Sequence, residues 1–372
     1  WRVEREEFFY EAKEEERTFI GHTEAIYSDY TTGVHFSEGF FNQELSQLSK
    51  ETLDSTDARL TKMRPIVLQA EELLFIKNQD SLRDHQASIP QLLKKDSSYN
   101  HTDFLDIFLF GIEHQNSIKG NYLYIIPVLD QLRFFQPGGY RHALGGTYSK
   151  FYPESGKKWA TYTQVDYGFL NQDLRGHQRL EYSYDPFKFS TISAGFGSEY
   201  ELMNTNTTFL ANITPGNYNL VNHLTLGFDQ EYTNGLFINS SVRYARHLPI
   251  ADMEMPAWVD TLVKALEEYY PDTSFGGFTP ETFSPYSKLL LDIDIAIRFK
   301  QKYRMTPERK VLIGSKYPKI QANIQLGIPE ILGSSSAFLF TEVGVQDRMQ
   351  LGAFGYSQYN MEIGGFLWSD KI

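Results

Sequence analysis

No cysteine occurs in the 372 residues, which excludes a disulfide framework and any thiolate metal site. Nowhere does an apolar run approach the length of about 18 residues that a membrane-crossing helix needs. Cationic residues are in deficit. The chain has 35 Lys and Arg against 47 Asp and Glu, a formal net charge of -12, with no Lys/Arg cluster. That balance argues against non-specific nucleic-acid binding, and no nucleic-acid partner is expected. Catalytic signatures are missing as well: there is no Gly-x-Ser-x-Gly elbow, no His-Glu-x-x-His and no Gly-x-x-x-x-Gly-Lys-Ser/Thr. The opening residues Trp1-Arg-Val-Glu-Arg-Glu-Glu7 have neither the basic start nor the apolar centre of a secretory signal.

What is abundant is aromatic: 24 Tyr and 28 Phe contribute to an aromatic fraction of 15%. The most informative stretch is Lys288-Leu-Leu-Leu-Asp-Ile-Asp-Ile-Ala-Ile-Arg-Phe-Lys300. A strand has period two, so Leu289, Leu291, Ile293, Ile295, Ile297 and Phe299 form one apolar face. Asp292, Asp294, Ala296, Arg298 and Lys300 form most of the other. In a soluble sandwich the polar face looks at water. In an outer-membrane barrel the apolar face meets lipid and the charged face lines the lumen, with Tyr and Trp gathered at the two interfaces.

The pattern recurs. Residues 157–169 contain Trp159, Thr161, Thr163, Val165, Tyr167 and Phe169. Gln178 to Tyr184 and Phe189 to Tyr200 follow, separated by a turn at Asp185-Pro186. Tyr218 to Glu231, Leu236 to Arg246, Lys319 to Leu326, Ala337 to Gln346 and Tyr356 to Leu367 complete the set. The breaks carry Gly, Pro, Asn and Asp, as turns require. Most segments are about nine to thirteen residues, long for a globular strand and suited to a tilted span of a bilayer. The mean hydropathy of -0.40 is compatible, because only every second strand residue would face lipid.

Upstream, residues 1–30 read as a charged hairpin of Glu7 to Ala12 and Arg17 to Tyr30. Residues 68–86 read as a helix, with Leu68, Leu73, Ile76 and Leu82 close to helical spacing. Pro90 and Lys94 to His101 read as loop. Residues 104–132 are strongly apolar and fit either a helix or the first strands. An insertion at 248–286 carries Pro256, Trp258, Leu262 and Leu266, spaced for a short helix over 256–268.

Candidate chemistry is sparse. His22, Glu24 and His223 are conceivable metal ligands, but a lone His on a strand is more often solvated or hydrogen-bonded, so no metal site is assigned. Gly195-Phe-Gly197 lacks the third glycine of a phosphate cradle. Asp292 and Asp294 stand about 6.5–7 Å apart at the usual strand rise, a separation glycosidases use. With Arg298 and Lys300 on the same face, lumen lining is the simpler reading. Asp229, Glu231, Arg243 and Arg246 are assigned the same lining role, and no catalytic residue or cofactor is assigned.

Residues 63–82, Met-Arg-Pro-Ile-Val-Leu-Gln-Ala-Glu-Glu-Leu-Leu-Phe-Ile-Lys-Asn-Gln-Asp-Ser-Leu, resemble a recurring segment of a Bacteroidota outer-membrane family of unknown function, DUF5686. Arg64, Pro65, Leu68, Glu71, Glu72, Asp80, Ser81 and Leu82 match it, with Gln69 where Thr is usual. Tyr27-Ser-Asp-Tyr30, Asn234-Gly235, Tyr244-Ala-Arg246 and Ile313-Gly-Ser-Lys-Tyr-Pro318 are similar pieces in the expected order. The resemblance implies an all-β fold: a transmembrane antiparallel outer-membrane β-barrel, similar in kind to Omp85 barrels, of which this chain covers part. Residues 1–62 would end a periplasmic β/α region, 63–103 would be a helical connector, and 104–372 would supply barrel strands. The expected role is transport, assembly or scaffolding in the envelope, without catalysis. The expected partners are outer-membrane lipid and other envelope proteins of a larger complex. The alternative is a soluble β-rich binding module, for example for glycans, using Trp159, Trp258 and Tyr269.

Overall fold

The computed structural model describes residues 4–14, 17–27, 30–35, 43–48, 68–137, 139–203, 218–250, 253, 257, 261, 265, 268–269, 282–350, 352 and 355–371. Strands β1 (Arg5–Glu14) and β2 (Arg17–Ile26) pair as the hairpin that the sequence suggests. Strand β3 (Glu44–Gln47) follows, then helices α1 (Ala70–Ala87) and α2 (Ile89–Tyr99). The apolar region after them holds both structure types. A π-helical turn (Asp106–Phe110) leads to β4 (Ile112–Asn116), β5 (Asn121–Ile125), the one-turn helix α3 (Val128–Gln131) and β6 (Leu132–Gln136).

The remainder is strand: β7 (Gly139–Tyr152), β8 (Lys157–Gly168), β9 (Asp173–Asp185), β10 (Ser190–Leu202), β11 (Tyr218–Thr233), β12 (Leu236–Leu248) and β13 (Tyr286–Arg298). A short hairpin of β14 (Lys302–Met305) and β15 (Lys310–Gly314) precedes β16 (Lys319–Gly327), β17 (Ala337–Gln350) and β18 (Tyr356–Lys371). The fold is all-β, with one sheet in the order β18-β17-β16-β13-β12-β11-β10-β9-β8-β7-β5-β4 and β6 beside β7. Every pairing in it is antiparallel; β4 and β18 end the main path, and β6 is a further edge segment beside β7. Among the described residues no pairing closes the sheet.

Turn chemistry sets the meander. At the β11–β12 turn Gly235 has φ +83°, and a Cβ there would lie 2.3 Å from the Arg298 carbonyl oxygen. Only glycine fits this conformation without strain, and its carbonyl accepts from Arg298 N at 2.8 Å. Beyond β13 the chain detours through β14 and β15. Strand β14 pairs antiparallel with β15 and parallel with β3, so a segment from the first fifty residues joins one end of the large sheet.

Helix α1 begins with a capping box in which Gln69 N donates to the Glu72 carboxylate at 2.8 Å. None of its residues is buried, and Leu73 and Leu82 of its apolar series stay exposed. Helix α2 corrects the loop reading of Pro90 and 94–101. Pro90 occupies the first turn, where its missing N–H has no helical partner to lose, so it starts the helix instead of breaking it. In the insertion, residues 257, 261, 265, 268 and 269 are helical. Trp258, Leu262 and Leu266 lie outside the described residues, as do 49–67.

Helix α2 is tied to the β4–β5 turn. The buried Asp96 carboxylate accepts from Ser117 N at 2.7 Å, Ser117 Oγ at 2.5 Å and Gln115 Nε2 at 3.4 Å. Asn100 exchanges bonds with Gln115, accepting its N–H at 2.7 Å and donating to its carbonyl at 2.9 Å. Tyr99 donates to Glu113, and that bond holds the phenol proton, pushing its pKa up to about 12. The Ser117 donors hold Asp96 below the usual carboxylate range. A carboxyl depressed in the folded state contributes stability above its unfolded pKa, about 3.9, and loses it as pH falls through the lower folded value. The protection factor of the Ser117 amide, the intrinsic exchange rate divided by the observed rate at the same pH, should therefore be high at neutral pH and fall as the pH drops below about 4, whereas Asp96→Ala should show low protection at both.

Candidate functional site

The sheet sorts its side chains onto two faces by the alternation of each strand. On one face stand Leu144, Val165, Leu180, Ile192, Phe196, Leu224, Leu226, Val242, Ile293, Ile324, Val343 and Ile363, aligned by the cross-strand register. Large residues here are open: Leu144 is 59% exposed, Leu226 55%, Met361 68% and Ile363 81%. The apolar residues that are buried include the small Ala143, Ala160, Val221 and Ala245, all on the opposite face. This inverts a soluble core. The principal contacts of each long strand are with its ladder neighbours, so no second layer covers the apolar face among the described residues.

The opposite face is polar, and its register builds a ladder. Asp229, Asn239, Asp294, Asn323 and Glu342 stand directly opposite one another across β11, β12, β13, β16 and β17. Facing carboxylates would repel. Here an amide separates each acid from the next, and Asn323 Nδ2 donates to Asp294 at 2.9 Å and to Asp292 at 3.2 Å. Beside this ladder the small residues Ser193, Gly195, Thr225, Gly227 and Ser241 leave a groove of about 480 Å³, which Asp229, Asp292 and Asp294 also line.

Towards one end of this face lies a closed ion network. The fully buried Arg141 donates to Asp166 and, at 2.6 Å, to Asp173. Asp173 also accepts from Arg175 at 2.8 Å and from Tyr200 OH at 3.0 Å, and the Arg141 guanidinium lies 5.2 Å from the Tyr200 ring centre. A buried guanidinium with both carboxylates satisfied fits this geometry. This network is not anticipated from the sequence, where residues 133–156 carry no assigned strand. The available signal was alternation of Arg141, Ala143, Gly145 and Thr147 against Leu144 and Tyr148.

The family model for the C-terminal domain of a family of unknown function, DUF5686, matches residues 105–372. The chain belongs to the DUF5686 family. No curated protein and no solved structure matches it. In this DUF5686 chain the matched region begins just before the π-helical turn and takes in every strand of the large sheet.

The residues singled out from sequence fall into distinct places. Asp229, Asp292, Asp294 and Arg243 share the polar face, and Arg243 donates to Glu201 there. Arg298 ends β13 on that face. Lys300 lies beyond the strand, in a turn with φ +49°, its ammonium 5.5 Å from the Tyr317 ring centre. Arg246 alternates to the apolar side, opposite Asn222 and Ser287, at the end of β12. Of the apolar series, Leu291, Ile293, Ile295 and Ile297 are half-buried on the apolar face. Leu289 shares that face but is buried, with the 328–336 connection bonded to its backbone. Trp159 lies on the apolar face too, its ring centre 5.2 Å from that of Tyr148. His223 converges with Glu199 and Glu201, with one ligand atom from each within 4.8 Å of the others.

Glu231 lies near the end of β11, under the β14–β15 hairpin. Its carboxylate accepts from Lys310 Nζ at 2.5 Å and from Gly235 N at 2.9 Å, and Lys310 also donates to Asn234 at 3.0 Å. Both partners of the ion pair are buried. Removing one charge strands the other, so Lys310→Met should destabilise the fold by about 3–5 kcal/mol. The double variant Lys310→Met/Glu231→Gln should recover most of that loss in a denaturation-based double-mutant cycle.

Proposed function

We propose that this chain forms wall of an outer-membrane β-barrel and serves the envelope as a transport, assembly or scaffold component without catalysis of its own. The observation that carries the proposal is the uncovered apolar face: one continuous surface over ten long strands, backed by a polar, charged face. In water such a surface would drive aggregation. In a bilayer it meets hydrocarbon while the polar face lines an interior. The two sheet edges then need pairing partners, because unpaired backbone groups in hydrocarbon cost several kcal/mol each. Family membership adds no activity, since DUF5686 is a family of unknown function.

An orientation goes with this reading. The connections 153–156, 186–189, 234–235 and 351–355 are short and share an end with β3, β14, β15 and the docked α2. The connections 203–217, 249–285 and 328–336 leave from the other end, together with the short turn 169–172, while the 299–318 connection that carries β14 and β15 leaves from the first. In outer-membrane barrels the short turns face the periplasm. The exposed Leu73, Leu82 and Phe75 of α1 would then lie on the periplasmic side, available to the mouth of the barrel or to another envelope protein.

Two experiments test the reading. Ile293→Arg should cost roughly 2–4 kcal/mol for folding into vesicles, and Asp292→Arg on the neighbouring position far less; equal losses would refute the facing. In intact cells, Lys77→Cys should resist a membrane-impermeant thiol reagent until the outer membrane is opened. The absence of native cysteine makes any labelling specific to that position, and reaction from outside would reverse the orientation.

A further inference from the structure

We propose that Glu199, Glu201 and His223 form a divalent-cation site of the zinc class on the polar face of the sheet. The three side chains come from neighbouring strands, β10 and β11, and each offers one ligand atom within 4.8 Å of the others. His223 Nδ1 is buried, has no hydrogen-bond partner, and lies 3.6 Å from the Glu199 carboxylate. In the tautomer that carries its proton on Nε2, the Nδ1 lone pair faces this carboxylate oxygen, a repulsion that a cation between them would relieve. Zinc binds imidazole nitrogen at about 2.0–2.1 Å and carboxylate oxygen at about 2.0–2.2 Å. Two such ligands on one tetrahedral ion are then separated by roughly 3.3–3.5 Å, close to the 3.6 Å between His223 Nδ1 and Glu199.

The surroundings suit a ligand set rather than a chance meeting of acids. His177 Nδ1 lies 3.1 Å from the other Glu199 oxygen and would orient that carboxylate, as outer partners of metal ligands do. Gly197 makes room for it: a Cβ there would lie 2.6 Å from the His177 Cβ. Arg243 donates to Glu201 and offsets part of the negative charge. Imidazole with carboxylates favours zinc and its first-row neighbours over calcium or magnesium. Three protein ligands leave a coordination position for water or a small donor, the pattern of exchangeable sites. The assignment does not depend on the membrane reading, because it rests on side chains of one hairpin and its neighbours.

The test uses the purified full chain with Zn²⁺ and Co²⁺ as probes. Equilibrium dialysis should retain one Zn²⁺ per chain, and Co²⁺ should give visible d–d bands of a low-symmetry nitrogen/oxygen site. His223→Ala and the nearly isosteric Glu199→Gln should each abolish the bands, and His177→Ala should weaken Zn²⁺ retention by about 10–100-fold. His247→Ala, on the same face but outside the cluster, should change nothing. Absence of d–d bands in the unsubstituted chain would overturn the site. So would Zn²⁺ retention unchanged in Glu199→Gln, which would leave Glu199 as an ion-pair partner of His177.

Discussion

Strict alternation along every long strand, held in phase from strand to strand, is the constraint on which the rest depends. A slip of one residue in any hairpin would exchange the two faces of that strand. The register from β7 to β18 contains local bulges, yet Leu144, Leu226, Ile293, Val343 and Ile363 all emerge on one side. The tight turns enforce this phase, and Gly235 is the clearest case, pressed against the Arg298 carbonyl where no side chain fits. Hydrophobic burial cannot hold this sheet together in the ordinary way, since its buried apolar residues are few and mostly small. Backbone ladders and the polar face carry the burden, and the apolar face needs an environment from outside the described residues.

The polar face solves a second problem, the crowding of acids. Aspartates and a glutamate at the same level of successive strands are interleaved with Asn239 and Asn323. Arg141 collects Asp166 and Asp173, and Lys310 collects Glu231. These buried pairs fix position more than they add stability. The first binds β7, β8 and β9 together; the second locks the β14–β15 hairpin, and with it β3, onto the turn at Asn234-Gly235.

How much of this was legible in the sequence depended on the length of the pattern. Segments such as Lys288–Lys300 and Tyr218–Glu231 alternate over ten or more residues, and the structure returns them as strands with ends shifted by a few positions. Strand β7 escaped notice because Gly139, Gly145 and Gly146 dilute its alternation. Helix α2 was obscured by Pro90, whose effect depends on whether it falls in a first turn or in a helix interior. The partners of Arg141, Lys310 and His223 were not legible. They are set by register between strands tens of residues apart, which no local window contains. His223 read alone is a strand histidine; beside Glu199 and Glu201 it becomes a candidate ligand.

The account stands or falls on whether the apolar face is in lipid. Single cysteines at each position from 289 to 297, spin-labelled and reconstituted into vesicles, would be scanned for collision with oxygen and with a water-soluble nickel chelate. The account predicts opposite period-two profiles. Oxygen access should peak at 291, 293, 295 and 297, and chelate access at 292, 294 and 296. High chelate access at both parities, with no oxygen maxima, would contradict it and place both faces of the sheet in water.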